Sequence, residues 1–254
     1  MNRFAFALLA LQLWAQDPRQ IVTEAQNRAR SKSERYEGTL QVINANQKMS
    51  VKRWTFTRLG ASGDSKAILR FTAPPELRGV ALLVINHPDH SSEQWMWIPA
   101  EERDRKVALQ DRSQRFFGTD FTFEDLEQRD AAQYDYRLLG HEVEGAPCWK
   151  VESRPKAGKS SQYTSSILWI REDNYVLVRV DNFKDGKLAR SITYRDLQKV
   201  NGIWTPRTVE AFDAGRNSRT VLRLDQIEYN VPMKDTDFTR EALQRAGAAT
   251  HENQ

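Results

Sequence analysis

Histidine and cysteine, which bind zinc and similar metals, are few in this chain, and only one pair of them stands close together. The four histidines are His87, His90, His141 and His251. His87 and His90 have the short spacing of a metal-binding pair, but Pro88 and Asp89 between them favour a turn. Neither a cysteine nor a further histidine stands nearby. We therefore expect a solvated turn and predict no metal site and no cofactor.

The motifs of hydrolases and nucleotide-binding proteins are also missing. Gly60-Ala61-Ser62-Gly63 is typical of a loop between two strands, without the strand, sharp turn and helix that expose a hydrolase serine. Neither glycine pattern of phosphate-binding loops occurs. Acids at 101–102, 120 and 124–125 could pair for acid–base catalysis, but a charged loop and a helix start explain them without it. We predict that the protein is not an enzyme.

Composition narrows the class of protein further. Cys148 is the single cysteine, so no intramolecular disulfide can form, and a core rich in Trp, Phe and Tyr must supply the stability. We expect this thiol to be buried beside Trp149 rather than reactive. The net charge is +4, and the charges are interspersed, which argues against a nucleic-acid surface. Transient contact with an anionic membrane surface remains compatible with this balance.

The N-terminus has the order of a secretory signal peptide. Arg3 gives a basic start, an apolar run extends from Phe4 to Trp14, and a polar stretch follows Ala15. Because the run is short and interrupted by Gln12, it does not predict a membrane span. We predict a signal peptide at residues 1–15, with a buried amphipathic helix as the alternative. No cysteine stands at the cleavage region, so we expect a periplasmic protein without a lipid anchor.

Short helices are expected near both ends of the remaining chain. Asp17 followed by Pro18 is typical of an N-cap and first helical residue, and apolar residues then recur at helical spacing, which predicts a helix over 17–31. Another short helix is expected near 239–246, and a third could start near Thr122. We expect the tail from about residue 247 to be loose.

Between these helices the apolar period changes to two, which predicts about eleven or twelve strands. The segments are 36–43, 51–58, 66–72, 80–86, 94–98, part of 106–109, 134–140, 147–153, 163–171, 175–181, 188–196, 203–212 and 218–229. Short connections, with reversals at Asp185-Gly186 and Ala214-Gly215, favour antiparallel pairing. No Pro-, Gly- or Ser-rich linker divides the chain, so residues 16–254 are predicted to form a single domain.

Several strands are apolar on both faces, notably 80–86, 94–98 and 167–170. A half-exposed sheet has one polar face, so this pattern indicates a sheet that is covered on both sides. A curved sheet covered by the N-terminal helix and by the Phe-rich segment 116–126 could enclose an apolar cavity. A tightly packed sandwich explains the pattern equally well.

Four segments, in this order, resemble the bacterial outer-membrane lipoprotein-sorting protein family, the LolA/LolB-like group. They are Arg78–Val84, Glu93–Ala100, Arg103–Val107 and Phe116–Leu126. The last, Phe-Phe-Gly-Thr-Asp-Phe-Thr-Phe-Glu-Asp-Leu, is the most specific. Lys199–Pro206 is similar to the family's penultimate hairpin, and 229–230 and 237–239 to its C-terminal end. The resemblance covers roughly residues 20–245.

The resemblance implies a mainly β fold, an incomplete and strongly curved antiparallel β-barrel of about 11 strands, with a few covering helices and an apolar cavity. It implies a periplasmic monomeric carrier that shields the acyl chains of a lipoprotein or lipid between the inner and outer membranes. An inner-membrane transporter and an outer-membrane acceptor would be its partners. The alternative is a periplasmic module that docks to a transporter without carrying lipid. Unlike the group's membrane-anchored acceptors, this chain lacks a lipobox cysteine.

Large apolar side chains on the strands are the candidates for the cavity wall. They are Trp54, Phe56, Leu69, Phe71, Trp95, Trp97, Trp149, Leu168 and Val178. The candidates for a lid or mouth are Phe116, Phe117, Phe121 and Phe123. Which side chains of each strand face inward is not fixed by the pattern, and an ordinary core position is the competing interpretation for every one of them.

Overall fold

The computed structural model describes residues 16–61, 63–88 and 90–248. Its strands are β1 Ser33–Ile43, β2 Met49–Ala61, β3 Asp64–Ala73, β4 Ala81–Asn86, β5 Glu93–Ile98, β6 Arg103–Lys106, β7 Tyr134–Val143, β8 Pro147–Pro155, β9 Ser165–Arg171, β10 Leu177–Lys184, β11 Lys187–Val200, β12 Ile203–Asp213 and β13 Ser218–Tyr229. The helices are α1 Pro18–Arg28 and α2 Arg240–Ala248. The predicted signal peptide and most of the predicted loose tail lie outside the described residues.

All of the strands belong to one antiparallel sheet, in the order β6-β5-β4-β3-β2-β1-β13-β12-β11-β10-β9-β8-β7. The first and last strands pair at its centre, with Leu40 opposite Leu222. The edge strands β6 and β7 are not hydrogen-bonded to each other, so the barrel is incomplete. This confirms the predicted fold class. The described residues form 13 strands rather than about 11. The charged strand β6 owes its place to backbone pairing with β5 rather than to an apolar pattern.

The local signals account for the ends of several elements. The Asp17 carboxylate accepts a hydrogen bond from the Arg19 backbone N–H at 2.9 Å, which is the predicted N-cap, and Pro18 begins α1. Asp185 and Gly186 have φ angles of 51° and 74°, the left-handed pair that a two-residue hairpin requires. The helix expected near Thr122 is a single 3-10 turn, Glu124–Leu126. Neither α1 nor α2 has the length and apolar character to cross a bilayer.

The sheet has two covered faces. On the face that we call inner lie α1 and the segment 116–126, and on the opposite, outer face α2 packs on β4 and β5. In β4, Leu82 points into the inner cluster, while Ala81 and Leu83 contact Phe238 and Leu243 on the outer side. This explains why β4 and β5 are apolar on both faces.

Gly38 makes room for a core tryptophan. It stands opposite Trp54, and a Cβ atom added to it would lie 2.6 Å from both Trp54 Nε1 and Leu222 Cδ1. We expect Gly38→Ala to lower the free energy of unfolding by about 1–3 kcal/mol, because overpacking displaces the indole. Gly215→Ala is the matched control, since its Cβ would meet only Asp213 Oδ1 at 3.5 Å. Urea unfolding measures both variants, and equal losses would contradict the expectation.

Candidate functional site

The segment 116–126, which we call the plug segment, fills one half of the inner face. Phe116, Phe121 and Phe123 are buried in the cluster that includes Leu40, Trp54 and other residues of the N-terminal strands. The ring of Phe116 stacks on Phe71 with centroids 5.3 Å apart. The rings of Phe117 and Phe123 meet Phe116 edge-on, at 5.1 and 5.4 Å. The four Phe predicted as a lid or mouth therefore lie in or against the core, with Phe117 partly buried.

The buried carboxylate of Asp120 binds the plug segment to the last strand, β13. Asp120 is fully buried and accepts hydrogen bonds from Ser218 Oγ at 2.6 Å and Thr220 Oγ1 at 2.8 Å. It also forms an ion pair with Arg115 at 2.8 Å. Because Ser218 and Thr220 belong to β13, this carboxylate fastens the turn of the plug segment to the middle of the sheet.

A second acid fastens the other end. The Asp125 carboxylate accepts a hydrogen bond from the Tyr163 hydroxyl at 2.8 Å and pairs with Arg190 at 3.2 Å. Arg190 bridges on to Asp213 at 3.0 Å. Burial raises the pKa of Tyr163, and the Asp125 charge adds to that, so the phenol stays neutral and can donate. These bonds hold the plug segment across β11 and β12.

The other half of the inner face contains a cavity of about 380 Å³, beneath α1 and over β8–β12. Its apolar and aromatic lining comes from α1, the sheet and the β9–β10 turn, and comprises Val22, Ala25, Ala29, Tyr136, Leu168, Ile170, Tyr175, Val176, Leu177, Val180, Ile192, Tyr194, Trp204 and Pro206. Its polar lining includes Gln26, Arg28, Arg30, Glu124, Asp125, Glu127, Gln128, Arg129, Ser153, Asn174 and Asn182. The volume lies within the range of small-molecule pockets, about 300–1,000 Å³.

Strand register builds the wall of this cavity. Leu168 of β9 stands directly opposite Val180 of β10, and Val180 stands opposite Ile192 of β11. The three side chains therefore form an apolar row across three strands, on the face that α1 covers. Tyr194, two residues beyond Ile192, has its pKa raised by burial, so its phenol is neutral.

The structure separates the predicted wall residues into three groups. Leu168 lines the cavity, and Trp149 packs in the same cluster, with its ring 4.8 Å from Tyr175. The inward-facing group beneath the plug segment comprises Trp54, Phe56, Leu69 and Phe71. The group on the outer face comprises Trp95, Trp97 and Val178. Trp95 and Trp97 have the opposite parity to the inward-facing Met96 of the same strand. Val178 has the parity of the inward-facing Val180, but the register shift between Leu177 and Arg179 turns it outward. Period-two alternation alone reveals neither placement.

Apart from Glu124 and Asp125, which belong to the Phe116–Leu126 motif, the polar residues of the cavity were absent from the sequence prediction. Arg129 and Asn182 line it, yet neither belongs to a recognisable motif. The apolar residues Val180 and Ile192 were also missed, although they share the parity of Leu168 once the register is known. Knowing one inward residue on β9 would have identified both.

One group of three residues in the described chain could hold a metal. The ligand atoms of His87, His90 and Glu93 lie within 4.8 Å of one another. Glu93 also accepts a hydrogen bond from Lys106 Nζ at 2.9 Å, which lowers the pKa of that carboxyl. Three donors of this kind fall one short of a closed tetrahedral site, and none of them lines the cavity. The cavity, rather than this group, is the candidate site.

The amino-acid sequence matches one known protein family. A family model described as an uncharacterized protein matches residues 63–245, which is more than half of the chain. The chain belongs to that family. No curated protein matches its sequence.

Three solved structures are similar to the chain. A domain assigned to the outer membrane lipoprotein-sorting proteins, from Vibrio parahaemolyticus, has a TM-score of 0.84 and 23% identity over 90% of this chain and 98% of that one. A DUF1329 family protein from Desulfovibrio piger has a TM-score of 0.85 and 24% identity, over 89% of this chain and 99% of that one. A LolA superfamily protein from Nitrosomonas europaea has a TM-score of 0.73 and 18% identity, over 90% of this chain and 100% of that one. This chain therefore has the LolA-like fold, as its motifs predicted.

Proposed function

We propose that this protein is a periplasmic carrier, and not an enzyme, that shields an acyl chain of a lipid or lipoprotein during transfer between the inner and outer membranes. The observation that supports this most directly is the apolar-lined cavity of about 380 Å³ beneath α1. Burying each CH₂ of an acyl chain contributes about 0.8 kcal/mol, so such a wall can recover the free energy lost when the chain leaves a membrane. The similar Vibrio domain is assigned to lipoprotein sorting.

The helix α1 is the part of the cover that can move. Ile21 and Val22 are its buried residues, and Gln26 Nε2 donates a hydrogen bond to the Arg129 carbonyl at 2.8 Å. The plug segment, by contrast, is held by buried ion pairs. We therefore assign the gating motion to α1, which lifts from β7 and β9 to admit or release the chain.

The exposed end of the cavity lies where α1 ends. Arg28, Ala29 and Arg30 are exposed there, and the partly exposed Trp204 and Pro206 also line the cavity. In this proposal the cargo enters past these residues, after contact with an inner-membrane transporter, and leaves toward an outer-membrane acceptor. A docking module without cargo is the alternative, and the filled half of the inner face favours it. The open half favours the carrier.

Filling the cavity from the helix tests the carrier. Ala25 lines the cavity, and Thr23 is exposed on α1 and does not line it. We expect Ala25→Trp to weaken binding of the methyl ester of parinaric acid, a fluorescent acyl chain, by about tenfold or more, a cost of at least about 1.4 kcal/mol. Thr23→Trp, the matched control, should bind the ester as the unchanged protein does.

Fluorescence titration of the full-length mature protein measures these affinities. If the unchanged protein bound neither parinaric acid nor its ester, the carrier would be refuted and the docking module favoured. If Ala25→Trp and Thr23→Trp bound the ester equally well, the chain would lie elsewhere than beneath α1.

A further inference from the structure

The buried end of the cavity carries an unsatisfied hydrogen-bond donor. Asn182 of β10 is fully buried and lines the cavity. Its Oδ1 accepts hydrogen bonds from Arg129 Nη2 at 2.9 Å and from Ser166 Oγ at 2.7 Å. Because a guanidinium only donates, the amide cannot be turned over, and Nδ2 must point away from Arg129. Nδ2 is buried and has no hydrogen-bond partner among the described residues.

The guanidinium of Arg129 is positively charged and has N–H groups available for a further hydrogen-bond acceptor. Its guanidinium donates to Ser166 Oγ at 3.2 Å and to Asn182, and no ion pair joins it to a carboxylate of the described residues. Burial alone would lower its pKa, but Tyr134, Asp125 and Glu124 outweigh burial and raise it, so the charge is kept. A guanidinium has five N–H groups, so donors remain for a further acceptor.

The acids that share the cavity are occupied by other partners. Glu124 accepts hydrogen bonds from Ser161 and from the Gln162 backbone N–H, the latter at 2.9 Å. Asp125 is bound by Arg190 and Tyr163, and Glu127 pairs with Arg112 at 2.7 Å. The carboxylate oxygens are thus bound by other groups and do not occupy the hydrogen-bond donors of Arg129 and Asn182.

We propose that the cavity takes a free single-chain fatty acid with its carboxyl group innermost, bound by Asn182 Nδ2 and the Arg129 guanidinium. The inference rests on the proposed carrier function and names its cargo. The row of Leu168, Val180 and Ile192 contacts the chain, and its methyl end points to the exposed end of α1. A lipid whose carboxyl is esterified to a bulky head group would fit only in the opposite direction, which would leave the inner donors unsatisfied.

Paired ligands and one isosteric substitution test this. Fluorescence titrations of the full mature protein would compare parinaric acid with its methyl ester. We expect the acid to bind about tenfold or more tightly than the ester. Asn182→Asp replaces the Nδ2 donor with an anionic oxygen that would face the cargo's carboxyl group, and an ion pair with Arg129 should keep the fold. We expect the acid-to-ester preference to fall to about one in that variant, because like charges repel and the donor is lost.

Asn44→Asp, in the turn between β1 and β2, adds the same charge away from the cavity and should keep the preference. If the unchanged protein bound acid and ester equally, the inward carboxyl would be refuted while the carrier stood. If neither ligand bound, the carrier itself would fail. Should Asn182→Asp unfold by circular dichroism, Arg129→Gln replaces it, with the same loss of preference expected, and an undiminished preference in either folded variant would overturn the inference.

Discussion

Replacing Asp120 with alanine is expected to lower the free energy of unfolding by about 3–5 kcal/mol, because it breaks a buried ion pair and strands its partners. The carboxylate is fully buried and receives hydrogen bonds from Arg115, Ser218 and Thr220. Its loss leaves the two β13 hydroxyls without their acceptor. It also frees the turn of the plug segment from the centre of the sheet.

A surface carboxylate with an arginine partner is the matched control for Asp120. Asp173 forms an ion pair with Arg171 at 2.6 Å, but its side chain is 59% exposed. Asp173→Ala should therefore cost less than about 1 kcal/mol, because water screens and replaces the interaction. Urea unfolding monitored by tryptophan fluorescence measures both variants. A comparable small loss in Asp120→Ala would show that the plug segment is not anchored through this residue.

Truncating Phe116 to alanine should cost about 3–5 kcal/mol, the usual range for removing a fully buried aromatic side chain. The ring is completely buried and contacts Phe71, Phe117 and Phe123. Because Phe116 does not line the cavity, the variant that remains folded should bind parinaric methyl ester with unchanged affinity. Unfolding and ligand titration, measured on the same preparation, separate the two effects.

Leu109→Ala provides the reference for Phe116, since Leu109 lies in the same connection and its side chain is 47% exposed. Its free energy of unfolding should change by no more than about 0.5 kcal/mol. Phe116 lies in the buried core of the inner face, which was the competing interpretation to a lid or mouth. A loss below about 1 kcal/mol in Phe116→Ala, together with altered ester binding, would favour the lid.

Buried anchoring explains why most of the chain's most specific motif lies outside the candidate site, with only Glu124 and Asp125 in the cavity lining. Phe116–Leu126 carries the resemblance to the LolA/LolB-like group, and its residues divide the inner face into a filled half and an open half. The Phe side chains fill one half of the inner face, and the carboxylates of Asp120 and Asp125 bind the segment to the sheet. Gly118 has the left-handed φ of 74° that the turn needs. The motif therefore shapes the cavity mainly by filling the neighbouring half of the inner face.

Signals in the amino-acid sequence predict most of the elements and the fold class. Local chemistry is enough for the Asp17 N-cap and the Asp185-Gly186 hairpin turn, and period-two alternation identifies most strands. The motif order around Phe116–Leu126 then correctly predicted an incomplete LolA-like barrel. Each of these signals acts between residues that are close in the chain.

The side of each strand that faces inward, and the position of the cavity, follow from the tertiary structure and not from the local pattern. Alternation says that Trp95 and Met96 point to opposite sides of β5, but not which side is inner, since a one-residue change of parity exchanges them. Asp120 contacts Ser218 at a sequence separation of 98 positions, and Arg129 contacts Asn182 at a separation of 53. Such contacts arise from the curvature and register of the whole sheet, and they place the cavity beneath α1.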